Sequence, residues 1–523
     1  MNFQSEPFAD FSHAAQREQL ARAIDLAQRE LGTSFPLLID GREAAASDTL
    51  RSINPAHPQQ LIGTVASAGL QDLERAVQTA ERTQRTWQRT AVAARVALLR
   101  KTAQLIRRER SRLTALEILE TGKPWREADA DVVEAIEYLD YYSACMEDLA
   151  AGKPLLQRPG ESNQYRYVAR GVCAVIAPWN FPLAILAGMA SAALATGNAV
   201  IIKPAEQSPV LAYHLVRLLH EAGVPPEVVQ YLPGVGETIG AGLVRHPAVR
   251  VIMFTGSRAV GLSILAAAAQ VPRGQRFVKH VVTEMGGKNA MILDDDADVD
   301  AAVKGILVSA FGYQGQKCSA ASRLIVLGPI YDRVVERLVE AMDDLLVQDP
   351  VLPTCDLGPL IDAPAQQRVA EAITRGALLA TLRYRYPQAR VPHEGYFVGP
   401  AVFMDVERTS FLAQEELFGP VLSVFRVNTF EDALTLANDT DYALTGGVYS
   451  RSPAHLQLAA DEFEAGNLYF NRPITGAIVG RQPFGGYKLS GLGTKAGGPD
   501  YLLQLLIPKT ICENTARHGM PLE

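Results

Sequence analysis

Cysteine is scarce in this 523-residue chain, and no long apolar run is uninterrupted. The five cysteines stand apart without CxxC or metal-ligand spacing, so we expect neither a disulfide framework nor a metal site. The most apolar stretch, residues 181–202, contains proline, glycine and asparagine. This interruption favours a buried helix followed by a buried strand over a membrane span.

Positive charge is not in excess either. The chain has 50 Lys and Arg against 57 Asp and Glu, a formal net charge of −7, and no basic stripe, which argues against nucleic acid as a partner. Its first twenty residues are acidic and polar, unlike a secretory signal or a transit peptide. Together with the unpaired cysteines, this start predicts a cytoplasmic protein.

The rest of the composition is that of a globular protein, with 48% hydrophobic and 20% charged residues, and the length predicts two or three packed units. The N-terminal third is predicted to be mostly helical. One helix face is formed by Leu73, Ala76, Val77 and Ala80. A later helix is expected to end at Gly122 and Pro124.

From Gly171 onward, short apolar runs alternate with helical patterns, which is typical of βαβ units and a parallel sheet buried on both faces. Ser208 is expected to cap the helix that starts at Pro209 and ends at Gly223. A second α/β region is predicted over residues 289–470. The segments 155–170 and 501–512 are predicted to be strands of an interface flap.

Cys318 is a candidate nucleophile because small residues surround it in GYQGQKCSAASR, where a ligand can approach closely. Lys317 is expected to favour the thiolate. Taken alone, the local sequence does not outweigh the alternative of an inert structural thiol, which is the commoner kind of cysteine.

Two further polar residues stand where parallel strands end. Glu284, in TEMGGKNA, is placed to act as a general base if burial raises its pKa, and its alternative is a surface ion pair with Lys288. Asn180, in APWNFP, is placed to donate to an oxyanion, although turn chemistry explains it equally well.

Candidate cofactor residues follow the neighbouring strands. Backbone N–H groups at Gly256 and Ser257 open a helix and can hold a phosphate, although the segment lacks the GxGxxG spacing. Lys203 and Glu206 are placed to hydrogen-bond a ribose, and the Glu206 charge opposes a phosphate added to that ribose. Their alternative is an ordinary surface pair.

Taken together, APWNFP, KPAEQSP, FTGSRAVG, TEMGGKNA, GQKCSA, EELFGPV and the segment FNRPITGAIVGRQPFGGYKLSG resemble the aldehyde dehydrogenase superfamily over nearly the whole chain. The resemblance implies an α/β fold with a Rossmann-type NAD-binding domain, a catalytic domain and a β oligomerisation flap, and it implies dimers or larger homo-oligomers. We expect residues 1–150 and 171–284 in the first domain, 285–485 in the second, and 151–170 and 498–517 in the flap.

The resemblance also implies roles by position. Cys318 matches the nucleophile, Glu284 the general base and Asn180 the oxyanion donor. The residues expected at the cofactor, NAD with NADP as an alternative, are Trp179, Lys203, Glu206, Gly256, Ser257, Glu416 and Phe418.

A narrower resemblance, at FQSEPFADFS and the two segments around Cys318 and residues 466–491, is to the branch that oxidises L-glutamate γ-semialdehyde in proline catabolism. It implies that Ser319 and the backbone of Gly476 and Ala477 hold the substrate carboxylate and that Phe181 contacts the substrate. Pro473 stands where the related sequences lead us to expect lysine.

Three other functions are kept as alternatives. The first is oxidation of another small acidic aldehyde such as succinate semialdehyde. The second is a coenzyme A-acylating enzyme, against which the presence of Glu284 argues. The third is a catalytically silent structural homologue, which would be expected to lack Cys318 or Glu284.

Overall fold

The computed structural model describes residues 3–516 of the chain, so residues 1, 2 and 517 of the predicted segments lie outside it. In chain order, the helices are α1 (Ala14–Arg29), α2 (Leu70–Trp87), α3 (Val92–Thr121), α4 (Trp125–Ala150), α5 (Ala184–Ala195), α6 (Pro209–Ala222), α7 (Ala241–Arg245), α8 (Arg258–Ala268), α9 (Val299–Phe311), α10 (Tyr331–Asp343), α11 (Ala363–Gly376), α12 (Phe411–Gln414), α13 (Phe430–Asn438) and α14 (Pro453–Glu462).

The strands are β1 (Thr33–Phe35), β2 (Leu37–Ile39), β3 (Arg42–Ala44), β4 (Asp48–Asn54), β5 (His57–Ser67), β6 (Glu161–Ala169), β7 (Val172–Ile176), β8 (Ala199–Lys203), β9 (Val229–Tyr231), β10 (Val249–Thr255), β11 (His280–Glu284), β12 (Asn289–Leu293), β13 (Ala321–Leu327), β14 (Thr381–Arg385), β15 (Ala401–Met404), β16 (Val421–Val427), β17 (Tyr442–Ala443), β18 (Thr445–Tyr449), β19 (Asn467–Phe470), β20 (Tyr487–Lys488), β21 (Gly491–Leu492) and β22 (Leu506–Asn514).

Two large sheets organise the molecule. One has eight strands in the order β21-β11-β10-β7-β8-β9-β2-β3, and the five strands from β11 to β9 run parallel. The other has seven strands in the order β14-β15-β16-β13-β12-β18-β19. Helices cover both sheets, and apolar side chains fill the space between them. The predicted α/β fold class and both α/β regions are confirmed.

The N-terminal third contains strands that the prediction missed. Strands β2 and β3 extend the eight-stranded sheet, and β1, β5 and β4 form a small sheet of their own. Asp40 and Gly41 join β2 to β3 with φ of 56° and 70°, the backbone of a tight hairpin turn that favours the Asp-Gly pair. The Asp40-Gly41 dipeptide was the sequence signal that could have predicted this hairpin.

The predicted cap of α6 is wrong in its hydrogen bonds. Ser208 precedes the helix, but its buried hydroxyl has no partner. The carboxylate of Glu120, on α3, instead accepts from the backbone N–H groups of Val210 at 2.9 Å and Leu211 at 3.0 Å. One buried carboxylate therefore satisfies two donors of the first turn, and the serine is not needed. The helix ends at Gly223 as predicted, with φ of 106°.

A two-stranded ribbon is formed by β6 and β22, which pair antiparallel over nine residues each. The ribbon confirms that each of the two predicted flap segments contains a strand, but residues 155–160 form none, so the strand prediction is wrong there. Residues 501–505, however, form a 3-10 turn, so the strand prediction is wrong there. Tyr501 stacks on Tyr142 with 5.3 Å between ring centroids. Leu502 and Leu505 are fully buried in the apolar core that surrounds the eight-stranded sheet.

No helix in the part of the chain from residue 3 to 516 is both long enough and apolar enough to cross a membrane. The stretch 181–202 instead contains α5 and most of β8, and both elements are buried. The predicted buried helix and strand are confirmed.

Candidate active site

Asn180, Lys203, Ser257 and Glu284 lie at or just after the carboxyl ends of strands in the eight-stranded sheet. These ends are on the same side because the central strands are parallel. Ile176 pairs with Lys203 across β7 and β8, and Thr255 pairs with Glu284 across β10 and β11. Trp179 and Asn180 follow β7, and Ser257 follows β10. The residues predicted from separate motifs therefore lie together at the carboxyl ends of the parallel strands.

A cavity of about 120 Å³ lies at the carboxyl ends of these strands. Cys318 and Glu284 both line it, next to the backbone of the loop at Gly476. The other predicted residues that line the cavity are Phe181, Ser319 and Ala477. The structure thus brings the candidate nucleophile, general base and substrate contacts to one place.

The loop before Cys318 has a strained backbone. Tyr313 and Gln314 adopt φ of 49° and 55° after the end of α9, a left-handed conformation that is unusual for residues with side chains. The Gln314 amide holds this turn by donating to the carbonyls of Pro359 at 2.8 Å and Gly122 at 3.2 Å. This turn brings Cys318 to the cavity just before β13 begins.

Lys317 does not act on Cys318 as predicted. Its ammonium group is buried and lies 2.6 Å from the carboxylate of Glu127, which neutralises it. Burial raises the pKa of the Cys318 thiol well above its usual range, and the charges of Glu284 and Glu416 raise it further. The thiol is therefore mostly protonated near neutral pH and must release its proton before the sulfur can act as a nucleophile.

Glu284 occupies the last position of β11. Burial raises the pKa of its carboxyl group to about 8, and Lys495 partly opposes this shift. It forms no ion pair with Lys288 in the described part of the chain. Lys288 is itself buried, which lowers its pKa to about 7. The surface-pair alternative for Glu284 therefore fails, and the environment is that of a general base working near neutral pH.

Asn180 is buried beside the Cys318 loop rather than on the cavity wall. Its side-chain Nδ2 donates to the carbonyl oxygen of Gln316 at 3.0 Å, two residues before Cys318. An amide carries two N–H donors, and the loop holds one of them, so the oxyanion role of the other stays a prediction.

The ring of Phe181 packs against a buried ionic cluster. Lys123 lies 4.1 Å from the centroid of the Phe181 ring, and it is fully buried between the carboxylates of Glu117 and Asp131. The Asp131 carboxylate also accepts from the backbone N–H of Ala184 at the start of α5, at 2.6 Å. These contacts fix the aromatic wall of the cavity.

Helix α4 contributes carboxylates that sequence reasoning missed. Glu134 and Glu137 line the cavity, and burial raises their pKa values to about 8 and about 7. Glu127, Glu134 and Tyr138 are spaced at seven and four residues, so one helix face carries them. That spacing was the signal available in the sequence.

A second cavity has a volume of about 790 Å³. It is lined by the predicted residues Trp179, Lys203, Glu206, Gly256 and Ser257. The Glu206 carboxylate accepts from Lys203 Nζ at 2.9 Å and from the Gly236 backbone N–H at 2.7 Å. Helix α8 begins at the same cavity, with Ser257 accepting from the Val260 N–H at 3.4 Å. A carboxylate for hydroxyl groups and a helix N-terminus for phosphates suit a dinucleotide.

Glu416 and Phe418 line neither of the two cavities. The Glu416 carboxylate accepts from the Gly287 N–H at 3.0 Å, and burial raises its pKa to about 7. The Phe418 ring packs edge-on against Trp179, with centroids 5.5 Å apart. The predicted contact of Glu416 and Phe418 with the cofactor stays a prediction.

Comparisons with known proteins show the family to which the chain belongs. The model of the aldehyde dehydrogenase family matches residues 42–511. The chain is 46% identical over 511 residues to the 1-pyrroline-5-carboxylate dehydrogenase of Geobacillus thermodenitrificans (strain NG80-2), covering 98% of this chain and 99% of that protein.

Two solved structures are also similar. The 1-pyrroline-5-carboxylate dehydrogenase from Thermus with bound NAD has a TM-score of 0.95 and 44% identity, covering 98% of this chain and 99% of that one. Proline utilization A from Bdellovibrio bacteriovorus has a TM-score of 0.97 and 46% identity. That match covers all of this chain but only 54% of the longer protein.

Proposed function

Because the chain belongs to the aldehyde dehydrogenase family, we propose that it oxidises L-glutamate γ-semialdehyde, the open form of 1-pyrroline-5-carboxylate, to L-glutamate with NAD. This is the second step of proline catabolism. One observation carries the proposal: Cys318, Glu284 and the loop at Gly476 line the same cavity. A thiol, a base and a site for the far end of the substrate are thus within one small volume.

The cavity lining suits the two charged groups on the α-carbon of this substrate, the carboxylate and the ammonium. Gly476 has φ of 73° and open space where a side chain would stand, so its backbone and the Ser319 hydroxyl are placed to hold a carboxylate without a cation. Glu134 and Glu137 line the same cavity, and their carboxyl oxygens can accept hydrogen bonds from an α-ammonium group. Succinate semialdehyde lacks that ammonium group, so these carboxylates favour glutamate semialdehyde.

The first half-reaction begins at the Cys318 thiol. The thiol releases its proton to solvent water, the thiolate sulfur adds to the aldehyde carbon, and the carbonyl oxygen becomes an oxyanion. The second N–H of Asn180 and the backbone N–H of Cys318 stabilise that charge. NAD, when bound, accepts the hydride that leaves the tetrahedral carbon. A thioester on Cys318 remains.

The second half-reaction is hydrolysis. Glu284 takes a proton from water, and the resulting hydroxide attacks the thioester carbon. The C–S bond breaks, the sulfur leaves as a thiolate, and L-glutamate is released. Burial raises the pKa of Glu284 to about 8, which makes it a stronger base than an ordinary carboxylate.

The proposal is tested by measuring NADH formation with L-glutamate γ-semialdehyde, succinate semialdehyde and propanal. We expect kcat/KM for glutamate semialdehyde to exceed that for the others by about tenfold or more, because only it has both the ammonium and the carboxylate. A preference for succinate semialdehyde would overturn the substrate while keeping the reaction. No activity with any aldehyde would support a silent homologue.

Use of NAD rather than NADP is supported by Glu206. Its carboxylate is held by two donors at the nucleotide cavity, and its charge opposes an additional phosphate on the ribose. NADP remains the alternative cofactor, because turning this side chain aside would admit the phosphate.

Self-association through the ribbon is part of the same proposal. Val168 and Ile507 are paired directly across it, and both are about 40% exposed. An exposed apolar cross-strand pair on a two-stranded ribbon favours burial against a second copy of the chain.

We therefore expect the double variant Val168→Glu with Ile507→Glu to have a lower mass by light scattering than the wild-type protein, because two charges replace the apolar pair. The control is Leu378→Glu, at an 82% exposed leucine outside the ribbon, which should keep the wild-type mass. An unchanged mass in the double variant would contradict the ribbon as the interface.

A cytoplasmic location is supported by the thiols. All five cysteines are free, and Cys512 is exposed. Free thiols persist where the environment is reducing.

A further inference from the structure

The N-terminal arm, defined as residues 3–11, lies along α4 in the opposite direction. Phe3 packs on Tyr141 with 5.2 Å between ring centroids, and Phe11 packs on Trp125 at 5.4 Å. The arm therefore follows the helix over almost five turns, from Tyr141 to Trp125, on the helix that also lines the aldehyde cavity.

Polar contacts fix the arm between these two aromatic anchors. The backbone N–H of Glu6 donates to Glu137 at 3.0 Å, and that of Ala9 donates to Asp129 at 2.8 Å. The carbonyl of Pro7 accepts from Arg110 at 3.0 Å. The backbone is thus held on both sides of Phe8.

Phe8 lies between these contacts, and its ring lines the same cavity as Cys318. The side chain is 54% exposed, although the backbone on either side of it is hydrogen-bonded. A large aromatic ring held at the rim of a cavity gains apolar contact when a ligand enters.

Glu137 connects the arm to the substrate loop. Besides the Glu6 N–H, its carboxylate accepts hydrogen bonds from the side chain of Ser5 and the backbone of Val479. Val479 lies two residues after Ala477, whose backbone lines the cavity. One carboxylate therefore joins the arm, α4 and the loop expected to hold the substrate carboxylate.

We propose that the arm is a wall of the aldehyde cavity and that Phe8 is a specificity-determining residue, closing the rim over the end of the substrate farthest from Cys318. The proposal rests on the proposed oxidation of an acidic aldehyde. A short aldehyde does not reach the rim, so Phe8 affects only aldehydes long enough to contact it.

The test is the Phe8→Ala variant, assayed with L-glutamate γ-semialdehyde and with propanal. We expect KM for the acidic aldehyde to rise about tenfold, because without the ring water reaches the hydrogen bonds that hold the charged end of the substrate. We expect kcat to change less than about twofold, and KM for NAD and kcat/KM for propanal to stay at their wild-type values.

The control is Leu378→Ala, which removes an exposed apolar side chain that lies outside the arm and lines neither cavity. It should leave KM for both aldehydes unchanged. An unchanged KM in Phe8→Ala, or an equal loss with both aldehydes, would overturn the proposal. If the wild-type enzyme prefers a different acidic aldehyde, the proposed substrate fails, and the same ratio measured with the preferred aldehyde still decides the role of Phe8.

Discussion

The Glu284→Gln variant is expected to form one equivalent of NADH in a fast burst and then to turn over about 100-fold or more slowly than the wild-type enzyme. Glutamine keeps the size of the side chain but cannot take a proton from water, so hydrolysis of the thioester slows. Addition to the aldehyde and loss of hydride involve Cys318 and Asn180, so the burst remains. Stopped-flow absorbance measures both phases.

Two observations check this interpretation. Intact-mass spectrometry should find the acyl adduct in Glu284→Gln after the burst, and hydroxylamine should speed turnover by capturing the thioester. The control is Glu462→Gln, an exposed glutamate at the end of α14, which should behave as wild type. Steady-state turnover at the wild-type rate in Glu284→Gln would remove Glu284 from the mechanism.

The Cys318→Ala variant is expected to lose NADH formation by about 10⁴-fold or more, with neither a burst nor slow turnover. Without sulfur, no tetrahedral adduct forms, and an aldehyde carbon does not release hydride. NAD binding should be unaffected, since Cys318 does not line the nucleotide cavity. Absorbance at the NADH band and a fluorescence titration with NAD measure the two properties.

The control for this variant is Cys512→Ala, which removes an exposed thiol on the ribbon, away from the cavity. It should retain full activity. Activity of Cys318→Ala within tenfold of wild type would assign the nucleophile to another group, whereas lost NAD binding would indicate a folding defect instead.

Much of the fold could be predicted because its signals are local. Buried parallel strands such as β7 and β8 are continuous apolar runs, and Pro209 and Gly223 mark the ends of α6. The cap of that helix could not be predicted, because Glu120 is remote in sequence and reaches it only through the packing of α3. Local patterns carry no information on such contacts.

The site shows the same division. Cys318 and Glu284 could be proposed from their motifs, and the structure places both at one cavity. The partner of Lys317 could not be predicted, because Glu127 lies on α4, far away in the chain. Lys317 was expected to lower the pKa of Cys318, and its ion pair with Glu127 removes this effect. Burial therefore raises the pKa of the thiol unopposed by that ammonium group.

The short strand β21 constrains the order of events during synthesis of the chain. Gly491 and Leu492 pair with Glu284 and Thr283 at the edge of the eight-stranded sheet, although they are translated about 200 residues later. The growing chain therefore emerges from the ribosome with β11 as an open sheet edge, and the whole second α/β region is made before that edge is covered. Because Met285 also donates to the Ser490 carbonyl at 2.8 Å, the backbone around the general base is completed only near the end of translation.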